Sequence, residues 1–190
     1  MTYDIVCIGA SWGGLGAIQT LLADIPPQMD TPIAIAQHRD PQESALAEVI
    51  SRQTTRRVVD AEDKQSIERN HVYLAPPDYH LLVEHGSFAL SLEGRVQYAR
   101  PSIDVLFESA ADAYGPAVIG VILTGANADG AEGLAHIKHR GGVAVIQDPG
   151  EAERGEMPSA AIAKTVADAV LPLSEIGKFI YGLCLEPAAT

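Results

Sequence analysis

Short apolar runs that alternate with helix-forming segments constrain the fold of this chain more than any other feature. These runs are rich in β-branched residues and have no polar face, as expected for strands that are buried on both sides. In chain order the clearest of them read YDIVCIG, TPIAIAQH, AVIGVILTG and GVAVIQD. Doubly buried strands that alternate with helices form a parallel sheet with helices on both faces. The sequence therefore predicts an α/β fold with a doubly wound, mostly parallel sheet.

The middle of the chain departs from this pattern and predicts antiparallel structure. HLLVEHGSFALSL reads as a hairpin that turns at His85 and Gly86, and HVYLA before it is also expected to run antiparallel. We expect this hairpin to lie at one edge of the sheet. Because no linker, repeat or low-complexity segment interrupts the chain, residues 1–190 are predicted to form a single domain.

Two of the predicted helices carry recognisable start signals. SIDVLFESAADAY follows Ser102, whose hydroxyl is suited to cap the first turn. PQESALAEVISRQ has Pro41 early and Glu43 in its first turn, which is typical of a helix N-terminus.

Charge and composition exclude several classes of function. The formal net charge is −12, from 13 Lys and Arg against 25 Asp and Glu, so the surface repels nucleic acid and anionic lipid. No apolar run is long enough to span a membrane, and the N-terminus lacks the basic region of a signal peptide. Cys7 and Cys184 lack metal-type spacing and are expected to be reduced thiols. We therefore expect a cytoplasmic protein that neither enters membranes nor binds nucleic acid.

A glycine-rich turn follows the first predicted strand and raises three alternatives. VCIGASWGGLGAI places four glycines around Ser11, and such a turn can cradle a phosphate, present a nucleophile or simply be tight. The dinucleotide fingerprint G-x-G-x-x-G fails, because Ser11 occupies its second glycine position. GASWG instead matches G-x-S-x-G, the nucleophile elbow in which a strained turn exposes a serine hydroxyl. Serine nucleophiles are, however, the rarer use of a glycine-rich turn.

Two further strand ends carry residues that complete the chemistry of acyl transfer. His38 ends the second strand, and Asp129 follows AVIGVILTG. Acyl transfer needs a nucleophile, a base near neutral pKa and a carboxylate that fixes the tautomer of the base. Locally, His38 is equally compatible with a strand-end histidine and Asp129 with a turn residue or helix cap. Their joint placement with Ser11 at strand ends favours a triad whose neighbouring side chains lie within hydrogen-bond reach.

Other polar residues are expected to have structural and not catalytic roles. Arg100 and Asp104 in RPSIDVLF are expected to cap a helix or brace the aspartate loop. His80 is expected to lie at the hairpin edge. His136 and His139 share a helix face with a metal-like spacing, but no third ligand is evident, which favours a solvated face.

Several motifs together resemble the catalytic domain of the chemotaxis protein-glutamate methylesterase family, the CheB type. They occur in the family's order over nearly the whole chain and read IGASWGG, AQH followed by Pro41, VYLAPPDYHL, RPSIDVLF, GVILTGANADGAEGL and MPSAAI with ADAVLPL. The resemblance implies hydrolysis of glutamyl γ-methyl esters on the cytoplasmic helices of chemoreceptors, with release of methanol, and in many members deamidation of receptor glutamines.

The resemblance also implies roles for individual residues. Ser11 would be the nucleophile, His38 the base and Asp129 the orienting carboxylate, with no metal or organic cofactor. The positions expected to bind the substrate or the oxyanion are Trp12, Gly13, Gly125, Ala126 and Met157.

The chain also departs from the family pattern. Trp12 follows the serine where a small residue or threonine is typical, and GANADG replaces the common G-M-G-x-D-G, with Ala126 in place of methionine. Well-known members carry an N-terminal receiver domain, whereas this chain starts on the first strand. We therefore expect a standalone catalytic domain, controlled by a separate response regulator if at all. Two other functions stay open at this point: a chemosensory interaction module without activity, and a serine esterase or amidase with another substrate.

Overall fold

The computed structural model describes residues 3–38 and 46–185, and strands and helices alternate through most of this length. The strands are β1 (Ile5–Ala10), β2 (Ile33–Gln37), β3 (Arg57–Asp60), β4 (His71–Leu74), β5 (His80–Glu84), β6 (Ser87–Ser91), β7 (Val118–Ile122), β8 (Val143–Gln147) and β9 (Ala169–Leu171). The helices are α1 (Gly14–Asp24), α2 (Leu46–Ser51), α3 (Ile103–Tyr114), α4 (Ala131–His139), α5 (Glu156–Lys164) and α6 (Leu173–Leu185). A short 3-10 helix, Gly115–Ala117, leads from α3 into β7.

A seven-stranded sheet in the order β3-β4-β2-β1-β7-β8-β9 forms the centre of the molecule. Every neighbouring pair in it is parallel. From β1 the chain first builds the sheet outward through β2 and later returns to add β7 on the other side of β1. The strand order therefore reverses beside β1, and open α/β sheets bind their ligands at the carboxyl ends of strands at such a switch point.

Side chains of the sheet alternate between two apolar layers. Along β1, Ile5 and Cys7 pack with the side chains of α3 and α4, whereas Val6 and Ile8 pack with those of α1 and α6. All of these strand residues are fully buried. Burial on both faces explains why the strands are continuously apolar in sequence. Both cysteines are free thiols, and burial raises the pKa of Cys7.

The predicted fold class is confirmed, with two corrections to its antiparallel part. The HVYLA segment forms β4, which pairs in parallel with β2 and β3, so its predicted antiparallel direction is wrong. β5 and β6 do form the antiparallel hairpin, but as a separate two-stranded sheet and not at an edge of the main sheet as expected. This hairpin packs on α3, where the Val83 N–H donates to Ser109 Oγ at 3.0 Å and the Gly86 N–H donates to the Tyr114 hydroxyl at 2.9 Å.

One of the two predicted helix start signals is confirmed, and the other is not tested. Ser102 is the N-cap of α3, as predicted, and its hydroxyl accepts from the Val105 N–H at 3.4 Å. Pro41 and Glu43 lie outside the described residues, so the predicted start of the helix that contains α2 stays a prediction. None of the helices in the described part of the chain combines the length and the apolar character that crossing a bilayer requires.

Candidate active site

Three adjacent strands bring Ser11, His38 and Asp129 to the same edge of the sheet. Ser11 directly follows β1, His38 directly follows β2, and Asp129 lies in the loop between β7 and α4. Because β2, β1 and β7 are neighbours and parallel, their carboxyl ends meet at one place. Residues that are far apart in sequence thus become neighbours beside β1, where the strand order reverses.

These side chains form a continuous hydrogen-bonded chain. His38 Nδ1 lies 3.2 Å from Ser11 Oγ, and His38 Nε2 lies 2.7 Å from Asp129 Oδ2. Since an ionised carboxylate only accepts, Nε2 carries the proton of the neutral ring and Nδ1 presents its lone pair to the serine. The nitrogens exchange the roles they have in chymotrypsin-type triads, where Nε2 faces the serine. The arrangement is suited to removing the serine proton during a nucleophilic attack.

The Asp129 carboxylate is completely buried yet remains ionised. Burial raises its pKa, but hydrogen bonds from the His38 ring and from the N–H groups of Ile103 and Asp104 outweigh this effect and hold the pKa below its usual value. Asp129 Oδ2 accepts from the Ile103 N–H at 2.7 Å, and Oδ1 accepts from Ser102 Oγ at 2.8 Å and the Asp104 N–H at 3.0 Å. The N-terminus of α3 therefore fixes the carboxylate that orients the histidine.

Asp104 supports the same loop from the opposite direction. Its Oδ1 accepts from the Gly130 N–H at 2.9 Å and the Gly133 N–H at 2.8 Å, while Gln97 Nε2 donates to Oδ2 at 2.8 Å. Asp129 thus binds the first turn of α3, and Asp104 of α3 binds the first turn of α4. This reciprocal arrangement confirms the structural role predicted for Asp104, which is to brace the aspartate loop.

We expect Asp104→Asn to change how stability depends on pH. Burial, with a smaller contribution from the charge of Asp129, raises the pKa of Asp104 to about 6, although its hydrogen bonds oppose this. The folded protein therefore holds a proton there that the unfolded chain has already lost. This contribution to stability is present below the unfolded pKa near 4 and is lost as the pH rises through about 6.

The measurement is urea unfolding of wild type and Asp104→Asn at pH 4 and pH 7. The wild-type free energy of unfolding, minus that of the variant, should fall by about 2 kcal/mol between the two pH values. Subtracting the variant removes the contributions of groups that both proteins share. A difference that is constant across this range would contradict the raised pKa.

The nucleophile turn is held by contacts on its carbonyl groups. The Ser11 carbonyl accepts from the Gly14 N–H at 2.8 Å and from Gln37 Nε2 at 2.9 Å, and the Trp12 carbonyl accepts from Thr124 Oγ1 at 2.9 Å. In a trans peptide the N–H points opposite to the carbonyl, so the next N–H groups, those of Trp12 and Gly13, point away from these contacts. Neither N–H has an acceptor among the described residues. Both are therefore available as donors of the kind that an oxyanion requires.

Gly13 adopts a conformation that other residues avoid. Its φ is 75°, in the left-handed region, and a Cβ there would lie 2.5 Å from Glu153 Oε2. This glycine allows the chain to turn from β1 into α1 directly after the serine.

Two of the predicted oxyanion or substrate positions have packing roles instead. The Gly125 N–H donates to the Arg154 carbonyl at 3.0 Å, so it is not a free oxyanion donor. A Cβ on Gly125 would lie 2.6 Å from Met157 Cε and 3.0 Å from Ser11 Cβ, which explains the need for glycine. Met157 is only 1% exposed and packs against Gly125. Ala126 is exposed, and its N–H has no acceptor in the described ranges.

Trp12 is a large exposed side chain at the rim of the site. It is 60% exposed, its indole Nε1–H donates to Glu153 Oε1 at 3.0 Å, and the Arg154 guanidinium lies 5.6 Å from the ring centroid. These contacts come from the loop between β8 and α5. They orient the indole ring beside the nucleophile. The ring thus forms a flat apolar surface next to the Arg154 guanidinium.

Two residues that the sequence analysis did not single out contact the triad directly. Gln37 Nε2 donates to the carbonyl oxygens of Ser11 and His38, at 2.9 and 3.0 Å, and ties the nucleophile turn to the base. Asn127 Nδ2 lies 3.1 Å from His38 Nδ1. The polar residue at the end of the otherwise apolar strand β2 is the signal that points to Gln37. For Asn127 the signal is its position two residues before the aspartate.

His80 and His136 have structural partners. His80 is buried, with Nδ1 accepting from the Ser102 N–H at 3.2 Å and Nε2 donating to the Gly94 carbonyl at 3.0 Å. It therefore braces α3 from within the fold rather than lying at an edge. His136 pairs with Asp112 at 2.9 Å. Over residues 3–38 and 46–185 no group of three or more His, Cys, Asp or Glu side chains is arranged to hold a metal ion.

Comparison with known proteins places this chain in a family. The family model for CheB methylesterase matches residues 6–180. A Leptospira interrogans protein with the name protein-glutamate methylesterase/protein-glutamine glutaminase is 44% identical over 185 residues, which are 96% of each chain. The protein-glutamate methylesterase FrzG of Myxococcus xanthus is 41% identical over 92% of this chain, which spans about half (53%) of FrzG.

A solved structure agrees with these sequence relationships. The crystal structure of the Thermotoga maritima CheB methylesterase catalytic domain superimposes with a TM-score of 0.90 at 31% identity. The match covers 96% of this chain and all of that domain. Because the family model, the relatives and the structural match all extend over nearly the whole length, this chain belongs to the CheB methylesterase family.

Proposed function

We propose that this chain is a serine hydrolase that demethylates glutamate γ-methyl esters on chemoreceptors and releases methanol. The observation that carries the proposal is the chain of contacts from Ser11 Oγ through the His38 ring to the buried Asp129 carboxylate, at 3.2 and 2.7 Å. Both separations lie within the reach expected of an unliganded catalytic site. Family membership supports this assignment of the nucleophile, the base and the orienting carboxylate.

The first half of the reaction follows from the tautomer of the histidine. As Ser11 Oγ attacks the ester carbonyl carbon, His38 Nδ1 takes the serine proton, and Asp129 stabilises the resulting imidazolium through Nε2–H. The carbonyl oxygen becomes an oxyanion, which the free N–H groups of Trp12 and Gly13 bind at the positive end of α1. The carbon–oxygen bond to the methoxy group then breaks, and its oxygen takes the proton from Nδ1.

The second half regenerates the serine. Methanol departs and a water molecule takes its place beside His38 Nδ1, which removes a proton as the water attacks the acyl-enzyme. The intermediate collapses, Ser11 Oγ recovers its proton from Nδ1, and the free glutamate carboxylate is released. Each turnover therefore consumes one water and yields one methanol, one carboxylate and one proton.

The partners of this activity are inferred from the relatives and from the site. Names of the relatives give methyl-esterified glutamate as substrate, and some add glutamine. We extend both to this chain and propose the cytoplasmic helices of methyl-accepting chemoreceptors as the substrate, which implies a cytoplasmic location. A separate response regulator is the proposed source of control. The exposed face of Trp12, backed by Arg154, is suited to contact a substrate helix that carries acidic residues near the ester.

Methanol release from a methylated receptor fragment is the direct test of this proposal. The purified chain should release methanol from the receptor fragment with a kcat/KM well above that for a small ester such as methyl acetate, because only the fragment contacts the rim. An active-site-directed fluorophosphonate should label Ser11 and stop the release.

Other results would assign a different function. Rapid turnover of small esters without turnover of the receptor fragment would favour a serine esterase with another substrate. Absence of both methanol release and fluorophosphonate labelling would contradict any hydrolase and favour an interaction module.

A further inference from the structure

The side-chain amide of Asn127 has a fixed orientation at the triad. Its Oδ1 accepts from the Asp129 N–H at 3.1 Å, which leaves the NH₂ group facing His38 Nδ1 at 3.1 Å. Turning the amide over would bring two donors together at the Asp129 N–H and leave that N–H without its partner. Asn127 therefore presents a hydrogen-bond donor, and not an acceptor, to the triad.

His38 Nδ1 is shared between two donors. With the ring proton held on Nε2 by Asp129, Nδ1 has a single lone pair, and both Ser11 Oγ–H at 3.2 Å and Asn127 Nδ2–H at 3.1 Å approach it. Once Nδ1 takes the serine proton it becomes a donor itself and no longer accepts from Asn127. The Asn127 N–H is then free to donate to whichever acceptor lies next to Nδ1.

The chemistry of acyl transfer determines what lies there. The leaving group receives its proton from the same nitrogen that took the serine proton, so its leaving atom must come within hydrogen-bond distance of Nδ1. Asn127 Nδ2 already lies 3.1 Å from that nitrogen, on the side of its lone pair. The leaving atom therefore also comes within reach of the Asn127 N–H.

From this placement we infer that Asn127 makes the site selective for ester over amide substrates by donating a hydrogen bond to the leaving oxygen. This inference rests on the proposed function. An ester oxygen accepts that bond, and acceptance strengthens as the carbon–oxygen bond breaks and electron density moves onto the oxygen. A primary amide presents an NH₂ group, whose hydrogens oppose the fixed Asn127 donor. The same residue thus accelerates methyl ester hydrolysis and disfavours glutamine deamidation.

Asn127 could donate to the leaving oxygen, or it could only position His38. These two roles are distinguished by comparing leaving groups on one peptide. The substrates are one receptor peptide with the target glutamate as its O-methyl ester, as its S-methyl thioester, or as glutamine. Sulfur accepts hydrogen bonds weakly, so the thioester reports triad chemistry with little contribution from the Asn127 donor. Wild type, Asn127→Gly and Asn127→Ala are each assayed for kcat/KM on all three substrates.

In both variants we expect kcat/KM for the O-methyl ester to fall about tenfold, with the thioester value falling less than about threefold. The glutamine rate, relative to the ester rate, should rise. Because the ratios come from one enzyme preparation, loss of folded protein cancels from them. Ala128→Gly, which loosens the same loop at an exposed neighbour, should keep the wild-type ratios.

The outcomes distinguish this inference from the function on which it rests. Equal losses for ester and thioester in both Asn127 variants would overturn the inference and leave Asn127 only a structural contact of His38. Turnover of none of the three substrates by wild type would overturn the proposed function, and the inference with it.

Discussion

Replacing Ser11 with alanine is expected to reduce methanol release at least about a thousandfold while leaving the fold unchanged. The variant lacks the only atom that can form the acyl-enzyme, so what remains is attack by water on a bound and polarised ester. Residual activity in such variants reflects substrate binding and the oxyanion donors. The measurement is kcat/KM for the methylated receptor fragment, with methanol quantified directly.

Stability of the Ser11 variant shows whether the loss is chemical. The Ser11 hydroxyl is part-buried and contacts His38, so its removal should change the free energy of unfolding by less than about 1 kcal/mol. Ser51→Ala, at an exposed serine of α2 whose hydroxyl donates to the Glu48 carbonyl of its own helix turn, provides the matched control with full activity. Wild-type rates in Ser11→Ala would show that another group is the nucleophile.

The parallel sheet could be predicted from the sequence because its strands are buried on both faces. β1, β2, β7 and β8 are continuously apolar, and in a chain with interspersed helices this pattern is typical of a parallel sheet that helices cover on both sides. β4 was predicted with the wrong direction, since it has four residues and precedes a true hairpin. Its pairing with β2 and β3 is non-local, and nothing in its own residues specifies whether neighbours run parallel or antiparallel.

The position of the hairpin depends on packing that local sequence does not contain. Its turn at His85 and Gly86 was predictable, because Gly86 supplies the positive φ of 85° that such turns need. Its place outside the main sheet follows from burial of Phe88 and from hydrogen bonds to α3. The residues of a strand do not specify which sheet the strand joins, so the place of the hairpin could not be predicted from them.

Some features of the site were likewise predictable from the sequence, whereas others depend on tertiary contacts. Ser11, His38 and Asp129 were predictable as neighbours, because each follows a strand and the carboxyl ends of parallel strands lie at the same edge of the sheet. Trp12 and Gly13 were among the positions predicted for the oxyanion or the substrate. The sequence could not show that the Gly125 N–H is occupied, because the carbonyl that accepts from it belongs to Arg154, in a distant loop. The contact of Asn127 with His38 likewise depends on a side-chain orientation that the Asp129 N–H fixes.

Asp129→Asn is expected to have the second large effect, on activity and stability together. Among the described residues, four groups hydrogen-bond to this carboxylate and all are donors: the His38 ring, the N–H groups of Ile103 and Asp104, and the Ser102 hydroxyl. An asparagine has one oxygen and one NH₂ group, so in either orientation its NH₂ group meets a backbone N–H that loses its acceptor. A buried N–H without an acceptor costs about 1–3 kcal/mol.

The effect of Asp129→Asn on catalysis depends on which nitrogen of His38 holds the proton. If the NH₂ group faces His38 Nε2, the ring must accept there and carry its proton on Nδ1, where it can no longer receive the serine proton. If the oxygen faces Nε2, the tautomer survives but the imidazolium loses its counter-charge. A loss of kcat/KM between about a hundredfold and ten-thousandfold is expected, with the larger value for the wrong tautomer.

Ser102→Ala separates the loss of stability in Asp129→Asn from its loss of catalysis. It removes one donor from Asp129 Oδ1 and the N-cap of α3, but leaves the carboxylate and the His38 tautomer intact. It should therefore lower the free energy of unfolding by about 1 kcal/mol and kcat/KM by less than about tenfold. Urea unfolding and methanol release on the same preparations measure both quantities. Asp129→Asn with more than a tenth of wild-type kcat/KM would show that the carboxylate serves the fold of the α3 terminus and not the base.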